Sequence, residues 1–149
     1  MTARRLSRIT FGIAIAGVAV AAYLTIAHFT TPDVLACSGS GFVDCATVTT
    51  SAQSTFVGIP VAVIGLGWFV AMAALCSPAA WRTRSRSIGL LRFALALLGM
   101  GFVLWLIYAE LIIIRALCIW CTVIHVLTFS LFVLIALYGT TEAPDPPDA

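Results

Sequence analysis

Four long apolar runs without a charged residue constrain what this chain can fold into more than any other feature. They are Ile9–Phe29, Phe56–Cys76, Phe93–Ala109 and Ala116–Tyr138, and the third is extended by residues 88–91 and 111–114. The hydrocarbon core of a bilayer is about 30 Å thick, which a helix of about 20 residues crosses. Backbone groups have no water to bond inside a bilayer, so such runs form helices. The runs predict an all-α integral membrane protein, a bundle of four transmembrane helices.

Composition excludes several classes of protein. Hydrophobic residues make up 62% of the 149 residues and charged residues only 9%, whereas a soluble domain is about half apolar and about a quarter charged. An ordinary soluble enzyme, a disordered chain and a nucleic-acid-binding protein are therefore all disfavoured.

The basic residues, all of them arginine, predict the orientation. Seven of the eight would lie on one face if the chain crosses the membrane at each run: Arg4, Arg5, Arg8, Arg82, Arg84, Arg86 and Arg92. Cytoplasmic segments carry an excess of such residues, so we expect both termini inside. The expected organisation is a cytoplasmic N-terminus (1–8), a four-helix membrane domain (9–138) and a cytoplasmic acidic, Pro-rich tail (139–149). An outer loop, 30–55, would carry one cysteine pair.

Four of the five cysteines fall on the predicted outer side. Cys37 and Cys45 lie in the outer loop, and glycines between them make that segment pliable enough to close a disulfide. Cys118 and Cys121 open the fourth helix, where a spacing of three places the Cα atoms about 5 Å apart, within disulfide range. The N-terminal end of a helix also lowers the pKa of a thiol. Both pairs are therefore candidates for thiol–disulfide exchange.

Other interpretations of these cysteines stay open at this point. Four thiolates can bind Zn²⁺, although a seven-residue spacer is loose for such a site. Two inert disulfides can staple an outer loop, although a bridge within one helix constrains little. Cys37 also follows an apolar run, as in a lipid-attachment signal, but that run is longer than usual. Cys76 has no partner in the pattern and is interpreted as an inert thiol.

The joint pattern resembles the vitamin K epoxide reductase family, most closely its bacterial members. The resemblance rests on the four spans, a Cys-x7-Cys outer loop, Ser51 six residues after its second cysteine, Gly-Ile-Pro at 58–60 and Cys-x-x-Cys at the fourth helix. It covers Thr10 to Tyr138, without the thioredoxin-like domain that is fused in many bacterial relatives.

The resemblance implies an oxidoreductase in which electrons pass through two cysteine pairs to a quinone. Cys37 would exchange with a reduced partner protein, and Cys45 would resolve that mixed disulfide and attack the helix pair through Cys118. Cys121 would face the quinone. The order agrees with the access that thiol–disulfide exchange requires at its entry point.

The resemblance also implies quinone contacts, with menaquinone and ubiquinone both open and no metal expected. The candidate residues are Ser51, Gln53, Ser54, Phe56, Trp120 and His125. His125 continues the helix face of Cys118 and Cys121 and stands where the animal enzymes have a tyrosine. Ser51 can contact the quinone or cap a helical turn. His28 is interpreted as interfacial. Glu110 and Arg115 are interpreted as flanking a short outer turn, where they can pair, be solvated, or, in the case of Arg115, favour a thiolate.

The implied partner is a separate thioredoxin-fold disulfide oxidase in the extracytoplasmic space, and the implied location is the bacterial inner membrane. Two alternatives remain: a quinone or quinone-epoxide reductase with another thiol donor, and a non-enzymatic protein that is disulfide-stapled or metal-binding. No nucleic-acid partner is expected.

Overall fold

The computed structural model of the protein describes residues 3–30, 35–37, 41–83 and 85–139. Its helices are α1 (Ala3–Phe29), α2 (Cys45–Thr50), α3 (Val61–Cys76), α4 (Pro78–Arg82), α5 (Arg86–Tyr108) and α6 (Ile119–Leu134). The helices α5 and α6 continue as π-helical turns over Ala109–Ile114 and Ile135–Gly139, and a 3₁₀ turn covers Ala52–Ser54. Of the expected tail, 139–149, only Gly139 is among the described residues.

Three of the described helices have the length and apolar character that a membrane span needs. They are Arg4–Phe29, Arg86–Ile114 and Ile119–Gly139, while the apolar helix α3 has only 16 residues. Since α1 begins at Ala3, most of the predicted N-terminal segment is helical too. A helical bundle with three or four apolar helices agrees with the predicted class of fold.

The second predicted span begins five residues too early at Phe56. Residues 55–60 instead form a small antiparallel hairpin, with β1 (Thr55–Phe56) paired to β2 (Ile59–Pro60). Val57 and Gly58 form its turn with positive φ angles of 52° and 80°, a geometry that suits tight two-residue hairpins. The residue before a proline is disfavoured in the helical region, so α3 begins only after Pro60.

Helix α1 packs mainly against α3 and also against α6, and α6 packs against α5. Two glycines permit close approach in this bundle. A Cβ atom at Gly17 would overlap the Phe69 ring, and one at Gly99 would overlap the Trp68 ring. The indole of Trp68 is held in place because its Nε1 donates to the Leu95 carbonyl at 2.9 Å. The other glycines of the apolar runs have no such neighbour.

Arg92, one of the seven arginines expected on the cytoplasmic face, has a buried side chain. Its Nε and Nη2 donate to the Leu75 carbonyl at 3.0 and 2.8 Å, and its guanidinium lies 3.6 Å from the centre of the Trp81 ring. The last carbonyls of a helix lack helical donors, and a cation there also interacts favourably with the helix dipole. Arg92 therefore caps the end of α3.

Candidate functional site

A disulfide joins Cys37 to Cys45, with their Cα atoms 6.1 Å apart. Cys45 is the first residue of α2 and is buried, whereas Cys37 is partly exposed. Asp44 caps α2, since its carboxylate accepts hydrogen bonds from the Thr47 backbone N–H at 3.0 Å and the Thr47 hydroxyl at 2.7 Å. These bonds lower the pKa of Asp44. The cap thus holds Cys45 at a fixed helix start.

Two aromatic side chains hold the backbone beside Cys37. The N–H of Ala36 donates to the Tyr23 hydroxyl at 3.0 Å, and the Ala36 carbonyl accepts from Trp120 Nε1 at 3.3 Å. The two rings also pack edge to face, with centroids 4.9 Å apart. The exposed cysteine of the disulfide is therefore anchored to α1 and α6 through its neighbour in sequence.

Backbone hydrogen bonds join the disulfide loop to the start of α6. Leu117 N–H donates to the Phe42 carbonyl at 2.9 Å, and Asp44 N–H donates to the Leu117 carbonyl at 3.0 Å. They form a parallel bridge between Val43 and Leu117. Leu117 directly precedes Cys118, and Val43 lies two residues before Cys45. We call these two hydrogen bonds the loop bridge; it keeps the two cysteine pairs in adjacent segments.

Cys118 is the N-cap of α6, and Cys121 lies in the first turn. The Cys118 thiol accepts a hydrogen bond from the backbone N–H of Cys121 at 3.2 Å. Hydrogen bonds from the side chain and backbone of Cys121 lower the pKa of the Cys118 thiol, against the opposing effect of burial. Both thiols are free, and Cys118 is fully buried. Cys118 and Cys45 belong to one apolar cluster, with Leu24, Ala27, Leu35, Val48 and Ala116.

A cavity of about 420 Å³ adjoins this cluster, and Leu24 and Val48 belong to both. Its walls are mostly apolar side chains of α1, α3, α5 and α6, among them Leu24, Ile64, Trp68, Phe69, Phe102, Val103 and Ile124. Cys121 lines it, whereas Cys118 does not. The segment after α2 covers the cavity on one side. One thiol of the helix pair thus faces an apolar chamber, and the other packs with the disulfide loop.

Five of the six residues expected at the quinone line this cavity: Ser51, Gln53, Ser54, Phe56 and His125. The exception is Trp120, which does not line the cavity and instead binds the Ala36 carbonyl as described above. The reason is helical geometry, since a residue directly before Cys121 points about 100° away from it around the helix axis.

His125 and Ser51 differ in how they are held. The imidazole of His125 is buried, and within the described part of the chain it has no hydrogen-bond partner. The hydroxyl of Ser51 donates to the Val48 carbonyl at 2.8 Å, so it caps the last turn of α2 while still lining the cavity. His28, interpreted as interfacial, also lines the cavity.

Glu110 lies neither in an outer turn nor in a pair with Arg115. It is 4% exposed, belongs to the π-helical turn that ends α5, and lines the cavity. Arg115 is exposed, has a left-handed φ of 58° and ends that turn. The clue in the sequence was the flanking Leu111–Ile114 run, because an ionisable residue inside a continuous apolar segment is a functional candidate by default.

The zinc interpretation has no support among the described residues, which contain no group of three or more side chains that could hold a metal. Cys76 is buried in a different cluster, with Ala14, Phe69, Met72 and Leu131. It takes no part in the arrangement of the other four cysteines.

A bundle of apolar helices that carries a disulfide, a dithiol and an apolar cavity defines a membrane-embedded redox protein. The model of the vitamin K epoxide reductase family matches residues 8–136, and the chain belongs to this family. The comparison with curated proteins found no match. Family membership implies a membrane oxidoreductase, and the family generally uses a quinone.

Proposed function

We propose that this protein is a thiol:quinone oxidoreductase that reoxidises a thioredoxin-fold, disulfide-forming protein outside the cytoplasm. The observation that carries the proposal is the shared cluster of Cys45 and Cys118, with Cys121 opening on the apolar cavity. Such an arrangement lets electrons enter at the partly exposed Cys37–Cys45 disulfide and leave from the Cys118–Cys121 dithiol beside the cavity.

The partly exposed Cys37 is the entry point. A thiolate of the partner attacks the Cys37 sulfur, an S–S bond to the partner forms, and Cys45 leaves as a thiolate. The second thiol of the partner then displaces Cys37, so the partner leaves oxidised and the loop pair is reduced. Exchange of this kind requires access for the attacking thiolate, which Cys37 has and Cys45 lacks.

Transfer between the pairs uses Cys45 and Cys118. Cys45 attacks Cys118 of an oxidised helix pair, the Cys118–Cys121 bond breaks, and Cys121 takes up a proton. Cys37 then displaces Cys118, which restores the loop disulfide and leaves the dithiol that the structure contains. A lowered pKa makes Cys118 a good leaving group in this step.

The cavity suits the ring of a quinone. Ligand cavities typically enclose about 300–1,000 Å³ and combine apolar walls with a few polar groups, as this one does. A bound quinone supplies an acceptor for two electrons and two protons. Cys121 and His125 would face it from α6, and Ser51, Gln53, Ser54 and Phe56 would cover it. Both menaquinone and ubiquinone have rings of this class.

Single Cys→Ser variants of the full chain test the proposal, with quinone reduction by a reduced thioredoxin-fold protein as the assay. Cys118→Ser and Cys121→Ser should abolish the reaction. Cys45→Ser, which lacks the loop disulfide, should also be inactive, but its free Cys37 thiol should attack the disulfide of the oxidised partner and form a mixed disulfide with it. Cys76→Ser is the control and should retain wild-type turnover. Quinone reduction that survives in Cys121→Ser would refute the function.

The proposed location is the bacterial inner membrane, with both termini inside and the cysteine pairs outside. Arg82 and Arg86 at the opposite end of the bundle support this orientation. In a cysteine-free chain, Ala46→Cys should react with an impermeant maleimide in intact cells. Ser85→Cys should react only after permeabilisation. The reverse labelling pattern would invert the topology.

A further inference from the structure

Glu110 is the only buried acidic side chain among the described residues. It lines the same cavity as Cys121 and His125, although the relay above makes no use of it. Burying a carboxylate away from water is costly unless charge or hydrogen bonds compensate. No ion pair of Glu110 is found in the part of the chain that the structure describes, and Arg115 is exposed whereas Glu110 is buried.

The neighbours of Glu110 are the groups that change protonation during the reaction. Glu110 and Cys121 line the same cavity, and the Glu110 carbonyl accepts the backbone N–H of Ala116 at 3.2 Å, two residues before Cys118. From the other elements around the cavity, His28 and His125 are the titratable side chains that face the same space. The carboxyl and the Cys121 thiol thus share one cavity.

We propose that Glu110 is the proton carrier of the helix pair, accepting a proton from the Cys118–Cys121 dithiol as it is oxidised and passing it into the cavity. This role rests on the proposed function. Oxidation breaks two S–H bonds and forms one S–S bond, releasing two electrons and two protons, all delivered to the quinone. Glu110 holds one of these protons in transit, returns to the carboxylate and is itself neither oxidised nor reduced.

A purely structural Glu110 would only fill its place in the cavity wall and offer an acceptor oxygen. The amide of Glu110→Gln keeps that acceptor oxygen and nearly the same volume but has no exchangeable acid. The substitution therefore separates the two roles, and Glu110→Asp keeps the acid on a side chain that is shorter by one methylene.

The first measurement needs no quinone. The full chain is reduced in detergent, and maleimide alkylation of Cys118 and Cys121 is followed by mass spectrometry from pH 4 to pH 10. The wild-type profile should contain two inflections, one from the thiols and one from the coupled carboxyl. The Glu110→Gln profile should contain only the first. A single wild-type inflection, or coincident profiles, would overturn the proposal.

The second measurement separates turnover from binding. General acid–base groups typically contribute 10²–10⁴-fold to rate, so kcat for Glu110→Gln should fall by about 10²-fold or more. The KM for quinone should change less than about twofold, and Glu110→Asp should recover part of the rate. Ser130→Ala, whose hydroxyl bonds to its own helix, is the control.

The outcomes distinguish this inference from the proposed function. Wild-type turnover in Glu110→Gln, together with an inactive Cys121→Ser, would refute only the proton-carrier role of Glu110. Turnover in Cys121→Ser would refute the proposed function itself. If Glu110→Gln fails to form the Cys37–Cys45 disulfide, the wild-type alkylation profile and Glu110→Asp still decide the question.

Discussion

At the scale of the residue, Ala36 shows how hydrogen bonds hold the backbone next to a cysteine. Its N–H and its carbonyl are both bound by aromatic side chains, from Tyr23 and Trp120, on different helices. The adjacent Cys37 is thereby held at the surface while its disulfide partner is buried. The two hydrogen bonds to the Ala36 backbone thus restrict the motion of the adjacent Cys37–Cys45 disulfide.

Trp120→Phe should loosen this loop. The variant keeps an aromatic ring against Tyr23 but loses the hydrogen bond to the Ala36 carbonyl, which is worth about 0.5–1.5 kcal/mol. We expect reduction of the Cys37–Cys45 disulfide by a small thiol to accelerate about twofold to tenfold, measured by stopped-flow or gel shift. Trp105→Phe, on an exposed face, should leave the rate unchanged. An unaltered rate in Trp120→Phe would contradict the anchoring role.

His125 offers the cavity a nitrogen without a partner among the described residues. His125→Phe should raise the KM for quinone about threefold to tenfold, because one hydrogen bond of about 0.5–1.5 kcal/mol is lost. His125→Gln retains a donor and should recover much of the binding. Steady-state kinetics with varied quinone checks this, and equal KM values in both variants would argue against a contact.

At the scale of the elements, the contact between α3 and α5 bounds the cavity. The indole of Trp68 lies on Gly99, donates to the Leu95 carbonyl and contributes to the cavity wall. Only a residue without a Cβ leaves room for the ring at this point. The shape of the cavity therefore depends on Gly99, because this residue has no side chain.

Gly99→Val should displace Trp68 and destabilise the bundle. Overpacking of this kind typically costs about 1–3 kcal/mol, and we expect that loss in the free energy of unfolding measured by detergent titration. Gly101→Val is the matched control, since nothing lies within 4 Å of a Cβ there. Equal free energies of unfolding in the two variants would show that the Trp68 ring moves without destabilising the bundle.

At the scale of the whole molecule, the loop bridge connects the outer loop to the membrane bundle. Segments around Val43 and Leu117, far apart in sequence, meet through it and bring Cys45 and Cys118 into one cluster. A reaction that depends on exchange between the pairs therefore depends on main-chain hydrogen bonds as well as on the thiols.

Leu117→Pro removes the N–H that donates to the Phe42 carbonyl. We expect the Cys37–Cys45 disulfide to form as in the wild type, while electron transfer from the loop pair to the helix pair slows about tenfold. Rapid acid quenching followed by alkylation and mass spectrometry measures this step. Leu117→Ala keeps both backbone bonds and should transfer at the wild-type rate. Equal slowing in both variants would assign the effect to the leucine side chain.

The class of fold and the family could be predicted from the sequence alone. Long apolar runs oblige a chain to form helices in a bilayer, whatever their neighbours, because each helix satisfies its own backbone. Cys118 and Cys121 share a helical turn for the same local reason. His125 follows them on one face, and the structure places it in the cavity.

Contacts between distant segments were decided only by the tertiary structure. Glu110 lines the cavity because α5 continues as a π-helical turn where a short outer turn was predicted. Trp120 turns to the loop because Cys121 occupies the cavity face of α6. The loop bridge joins two segments that no local pattern relates. Periodicity predicts which face a residue occupies, but the partner of that face depends on how the helices pack.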